Sequence, residues 1–406
     1  MTRFSAGWPP PLPPAMADGP KDIGNRRKPA EGLTEDLLIE ILSRVPYRSL
    51  CRFKRVSKQW RGIISHPDNR KVLPQYHLQE LTGFLYKRQH PITGCFLGRN
   101  FAHVSAGDSP RIRPSLPFLP DCHQFHLLDS CNGLLLCRRF ETPESWEFDY
   151  VMCNPATEKW VVLPGFFGNW QTARLGFDPA VSSHFHVFHF LEHEIDGYPD
   201  DDDYESDGHV KGVEIYSSET RAWSHKDSAW GFPTRIARDS KSAFVNGFLH
   251  LITAEDAVVA VDVEGTTWRV IPMPDDPDAP AIDPAYGFID LSQGRLYLAN
   301  TDQHDKYRLS IWVLEDYDSQ VWVLKHSVTY MHLFGVKYAH HGSQYHIVGL
   351  HPQQNMIFLV YGHDKKLMSY GIDCGKVQLI QDLGHDSVRP YLPYVPLYSD
   401  ELADWH

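Results

Sequence analysis

The strongest constraint on this chain is a repeat. A short apolar strand, a polar turn and a strand opening on an aromatic residue recur at 151–160, 213–223, 259–268 and 311–322, with a weaker copy at 370–377. Thr157, Thr220, Gly265, Ser319 and Cys374 each lie three positions before Trp160, Trp223, Trp268, Trp322 or the valine substitute Val377, as a shared turn requires. Between these copies sits a second hairpin signal: Asn132-Gly133, Asn246-Gly247, Gln293-Gly294 and Gln354-Asn355. Asn-Gly is a strong short-range turn signal because both central residues of a type I′ turn need positive φ. Two hairpins per unit make four strands per unit.

The spacings between the aromatic positions are 63, 45, 54 and 55 residues, near the period of propeller blades. The long first interval contains the acidic run 200–207, an insertion between two strands. Five four-stranded units fill about 125 to 384. Residues 74–107 and the tail 390–398 are left over, and pairing them builds a sixth blade and closes the ring, removing the sheet edges an open array would expose. Pro390, Pro393 and Pro396 restrict that last strand to an outer or edge position. The expected body is therefore an all-β propeller of six blades, five to seven being compatible with the count.

Composition narrows the function classes. With 406 residues, 42% hydrophobic and 22% charged, and a mean hydropathy of −0.37, whole-chain disorder and a collagen-like fibre are excluded. No apolar run reaches the 18 or so residues of a spanning helix, and the first residues lack the apolar stretch of a secretory signal. A cytosolic or nuclear location is expected. The seven cysteines are odd in number and lack any C-x-x-C pair, which disfavours a disulfide framework or a cysteine zinc site. Residues 1–66 carry 12 Lys and Arg against 6 Asp and Glu, leaving 27 against 45 for the remainder. A body this acidic repels polyanions, so nucleic acid is not expected as a ligand.

The front of the chain is of another kind. Residues 1–32 are Pro-rich and aperiodic, the pattern of a disordered tail. Then Leu37, Leu38, Ile41, Leu42 and Val45 form one helical stripe, with Thr34 as N-cap, Glu35 and Asp36 in the first turn, and Pro46 as the stop. Ser49 is expected to cap a second helix, in which Leu50, Phe53, Val56 and Trp60 recur every three to four residues among basic residues. So few residues rarely support a core alone, yet the segment is rich in large apolar side chains. Either the propeller covers them or a partner's helices do.

These residues resemble the F-box. Residues 33–46, 49–60 and 63–65 follow its pattern Leu-Pro-x-Asp-Leu-Leu-x-Glu-Ile-Leu-x-Arg-Leu-Pro, Ser-Leu-x-Arg-Phe-Arg-x-Val-Cys-Lys-x-Trp and Ile-Ser, with Thr34 in place of Pro and Ser57 in place of Cys. The resemblance implies an F-box over 33–73 that binds the Skp-type adaptor of a cullin-RING ubiquitin ligase. It carries adaptor contact onto Leu33, Leu37, Ile41, Leu42, Pro46, Leu50, Phe53 and Trp60. Residues 74–406, through 131–134 and 154–157, resemble the F-box-associated, kelch-like propellers that follow the F-box in a large family of plant proteins. The implied organisation is multi-domain: an all-α helical F-box, then the all-β propeller. The implied function is that of a non-catalytic substrate receptor, whose propeller loops hold an unknown target protein.

Other motifs are weaker. His184, His186, His189 and His193 form the densest histidine cluster, but strand alternation splits them between two faces, so packing is favoured over a metal site. The run 200–207 lacks calcium-loop spacing, and His193-Glu194 lacks the second histidine of H-E-x-x-H. G-x-S-x-G, P-loop and G-x-G-x-x-G motifs are missing. No catalytic, cofactor or metal residue is expected. Two rivals stand beside the receptor reading: a propeller enzyme or glycan binder with a helical cap, and an F-box scaffold that does not direct ubiquitination. The repeated Trp residues are expected between blades rather than as a sugar platform.

Overall fold

In the computed structural model, the described residues are 33–45, 47–54, 56–69, 72–73, 81–104, 112–119, 124–140, 147–164, 172–193, 208–237, 240–274, 287–302, 308–335 and 345–398. The expected tail 1–32 and Pro46 lie outside them.

Six antiparallel sheets form the body, five of four strands and one of three. Blade one pairs Gly83–Gln89 with Phe96–His103 and with the last strand, Ser387–Tyr394. Blades two to six begin on the inner strands Gln124–Cys131, Ala173–Gly176, Ala243–Val245, Phe288–Ser292 and Tyr345–Leu350. Each inner strand touches the next, and those of blades six and two both touch Ser387–Tyr394. The ring is therefore closed by the end of the chain, as the leftover segments predict. Closure pairs Gly83 with Tyr394 and Phe84 with Pro393, and Pro390 falls at the irregularity between Leu85 and Lys87. The strand is an edge at the channel, where its prolines leave no ladder donor missing.

One apolar cluster fills each of the six seams between blades. Strand alternation explains this: Leu134 and Leu136 face the seam of blades two and three, while Leu135 and Cys137 face that of blades one and two. Both faces are buried, so these strands read as continuous apolar runs. A fully buried leucine contributes roughly 1.5–3 kcal/mol, which makes the seams the main source of stability.

The turns follow their chemistry. Asn132-Gly133, Asn246-Gly247 and Gln293-Gly294 hold positive φ at both residues. Gln354-Asn355 does not form such a turn: Leu350 pairs with Ile357, leaving a longer connection in which His351 Nδ1 accepts from the N–H groups of Gln353 and Gln354, both at 3.1 Å. In blades two, three and five the residue two before each Trp, namely Glu158, Arg221 or Gln320, has φ of 57°.

Candidate functional site

Two surfaces can engage partners: the helical segment and one end of the propeller. The first is built on α1 (Glu35–Ser43), α2 (Tyr47–Phe53) and α3 (Lys58–Ser65). Thr34 occupies the N-cap of α1, but its hydroxyl makes no capping hydrogen bond. The stretch read from sequence as one second helix holds two, α2 ending at Phe53 and α3 starting at Lys58. Ser49 lies inside α2, and Ser57 is the cap of α3, its Oγ accepting from Trp60 N–H at 3.1 Å. The residue that departs from the F-box pattern thus caps a helix.

The expected adaptor residues divide into two groups. Leu42 and Leu50 are buried beside Leu38, Ile63, Ile64 and Leu73, so they hold the helices together rather than face outward. The sequence stripe misses this because α1 carries two adjacent ridges, Leu38 and Leu42 inside, Leu37 and Ile41 outside. Leu33, Leu37 and Ile41 recur every four residues and are 39%, 51% and 47% exposed. Phe53 and Trp60 are half-buried and meet edge to face, with ring centroids 5.4 Å apart. Arg52, Lys58 and Arg61 are exposed around them. Cys51 on α2 packs against the cluster of blades two and three that contains Leu397.

The propeller's two ends differ. At one end, short turns join Cys131 to Leu134, Val245 to Phe248, Ser292 to Arg295, Asn154 to Lys159 and Ser217 to Ala222. Leu397 sits at this end, where a Cβ on Gly133 would meet Leu397 Cβ at 2.5 Å and Asn154 Nδ2 donates to Leu397 O at 2.8 Å. Asn132 Nδ2 also donates to Phe177 O of the next blade at 2.7 Å. The stretches 131–134 and 154–157 are therefore structural ties between blades and tail. At the opposite end lie the longer connections between Glu192 and Val210, Pro272 and Phe288, and Thr329 and Tyr345.

The inner strands surround a channel that opens at this second end, with a cavity of about 310 Å³ lined by Asp129, Arg174, Lys241, Phe288, Tyr345 and Arg389. Asp129 accepts from Leu175 N–H of the next inner strand at 2.9 Å, and Asp290 accepts likewise from Leu350 N–H at 2.9 Å. Burial raises the Asp129 carboxyl, while Arg174 and the N–H groups of Leu175 and Ser130 pull it back. Lys241 pairs with Asp290. Sequence reasoning missed both carboxylates, although each stands four residues before a turn glycine, Gly133 or Gly294.

The repeated Trp residues lie between blades, as expected. Trp223 Nε1 donates to Pro164 O at 3.1 Å and Trp322 Nε1 to Pro272 O at 2.9 Å, each reaching the preceding blade. The histidine cluster is split. His189 is fully buried with Nδ1 2.7 Å from Tyr150 Oη across a seam, and burial pulls it down to about 3. No group of three or more potential metal ligands converges among the described residues.

A six-bladed propeller preceded by an F-box defines a class of plant proteins, and the comparisons with known proteins agree. Residues 31–71 match the F-box domain, and residues 111–389 match the family described as "F-box protein At3g26010-like, beta-propeller". The chain belongs to that family of F-box propeller proteins. Similar proteins of Arabidopsis thaliana include F-box protein At5g07610, 29% identical over 72% of this chain and 70% of the relative. F-box protein At5g49610 is 26% identical over 73% and 78%. F-box domains generally bind Skp1-type adaptors in cullin-RING ligases.

Proposed function

We propose that this protein is the substrate receptor of a Skp-cullin-F-box ubiquitin ligase, docking the adaptor through its helices and holding a target protein at the long-loop end of the propeller. The observation that carries the reading is the exposed ridge of Leu33, Leu37 and Ile41 on a helical unit that already has its own core. Covering such a ridge contributes about 1–2 kcal/mol per side chain, so three anchors supply a substantial share of a stable interface. Pro46, Phe53 and Trp60 complete the contact set, and Arg52, Lys58 and Arg61 favour an acidic adaptor. Leu42 and Leu50 shape the surface from beneath.

Cys51 packs against the apolar cluster of blades two and three, and the long connections are the part of the propeller assigned to the target. Loops on a rigid scaffold are the usual carriers of recognition. The receptor performs no bond chemistry; it holds a target lysine near a conjugating enzyme and raises the effective concentration.

Capture of the full chain by a purified Skp-type adaptor tests this. Leu37→Asp with Ile41→Asp removes two anchors and places two charges in the interface, so capture should weaken by about a hundredfold or more. The melting of the propeller should be unchanged. Undiminished capture refutes the assignment.

A further inference from the structure

Beside the channel, at the seam of blades one and two, lies a second cavity of about 560 Å³. Its charged lining is cationic, Lys87 and Arg99 from blade one, with His126 from the inner strand of blade two as a neutral polar group beside Gln89 and Thr93. Phe96, Phe125 and Leu127 supply apolar wall. No acidic residue is among its described lining residues, although the chain beyond residue 66 carries 45 Asp and Glu.

The groups are held in place. Arg99 donates to Phe125 O at 2.8 Å, and its guanidinium lies 5.2 Å from the centroid of Phe96 and 5.7 Å from that of Phe125. His126 meets Phe140 edge to face at 5.2 Å. Lys87 is half-buried and makes no ion pair among the described residues; burial alone pulls its ammonium down. Burial also lowers His126, followed by the charges of Lys87, Arg138 and Arg99. Gathered positive charge beside apolar wall is the complement of an anion on an apolar frame.

We propose that the pocket formed by Lys87, Arg99, His126, Phe96 and Phe125 binds a small organic anion, a carboxylate or phosphate monoester borne on an apolar or aromatic frame. The site is independent of adaptor docking by the helices. It opens at the long-loop end, so its occupant is either a diffusible ligand or the same group carried on a target side chain.

Phenyl phosphate is the probe, titrated calorimetrically into the full chain. Saturable one-site binding and a raised melting temperature are expected, with inorganic phosphate and phenol each weaker and phenyltrimethylammonium not binding. Lys87→Gln should weaken phenyl phosphate by roughly tenfold or more while Lys87→Arg retains it, as a charge-assisted contact requires. Arg99→Met provides a second variant, its fold checked by melting. A phosphotyrosyl peptide that binds more tightly than phenyl phosphate assigns the site to a target side chain, and tighter binding of the free ester assigns it to a diffusible ligand. Lack of saturable binding, equal affinity for inorganic phosphate, or unchanged affinity in both Lys87→Gln and Arg99→Met overturns the proposal.

Discussion

Leu37 and Leu135 are both leucines within regular elements, yet one is 51% exposed and the other fully buried. Leu135 sits on a strand enclosed by blades on both faces, whereas Leu37 sits on a helix whose neighbours cover only one ridge. The contrast holds across the two regions. In the propeller six seams hide the apolar strands, and the buried Asp290 pairs with a half-buried Lys241. In the helical segment the core is six residues, and its ion pair between Arg44 and Glu40 is 77% and 60% exposed. One region encloses its apolar strands; the other leaves an apolar ridge exposed.

The largest expected effect that separates the regions comes from Asp290→Ala. It strips Leu350 N–H of its acceptor and leaves the half-buried Lys241 ammonium without its counter-charge. Propeller stability in urea should fall by about 3–5 kcal/mol, while the helical segment and adaptor capture are spared. A loss of capture before the propeller unfolds would break the separation.

Acid should also act on the propeller alone. In the unfolded chain His189 and His250 take protons near pH 6.5, but burial pulls their folded values down to about 3 and about 4. Between these limits the unfolded state binds more protons. Stability therefore falls as pH drops below 6.5, by about 1.4 kcal/mol per unit for each histidine, until the folded ring itself protonates. His250→Gln should reduce the slope of urea stability between pH 6.5 and 4.5 by about one proton. Both histidines belong to the propeller, so equal acid sensitivity in both regions would contradict the comparison.

The smallest effect sharpens the helical side. Ser57→Ala removes the α3 cap and should cost that segment about 1 kcal/mol, weakening adaptor capture modestly while the propeller melt stays fixed. Ser57→Asp restores a capping acceptor and should recover capture.

What the sequence made legible was periodic. The Trp positions, the Asn-Gly turns and the leftover ends marked the blades and their closure because each depends on local spacing. The helical break was hidden: Leu50, Phe53, Val56 and Trp60 keep one rhythm through 54–57, and only the competing cap at Ser57 ends it. Leu42 and Leu50 look like contact residues in a pattern that cannot tell the inner ridge of a helix from the outer one. The channel carboxylates and the cationic pocket escaped for another reason. Lys87 and His126 belong to different blades, and charge gathered across a seam has no fixed spacing along a chain.

The last strand has a consequence for synthesis. Thr82 donates to Tyr394 O across 312 positions of sequence, so the first blade waits for nearly the whole chain to leave the ribosome. The three helices emerge long before it. A polypeptide ending prematurely after the sixth blade keeps the helices and loses the strand that seals the ring, leaving a bare sheet edge. If the helices dock the adaptor as proposed, such a fragment would occupy it without a sealed propeller, and a shortened message would then yield a competitor of the intact protein rather than a mere loss of it.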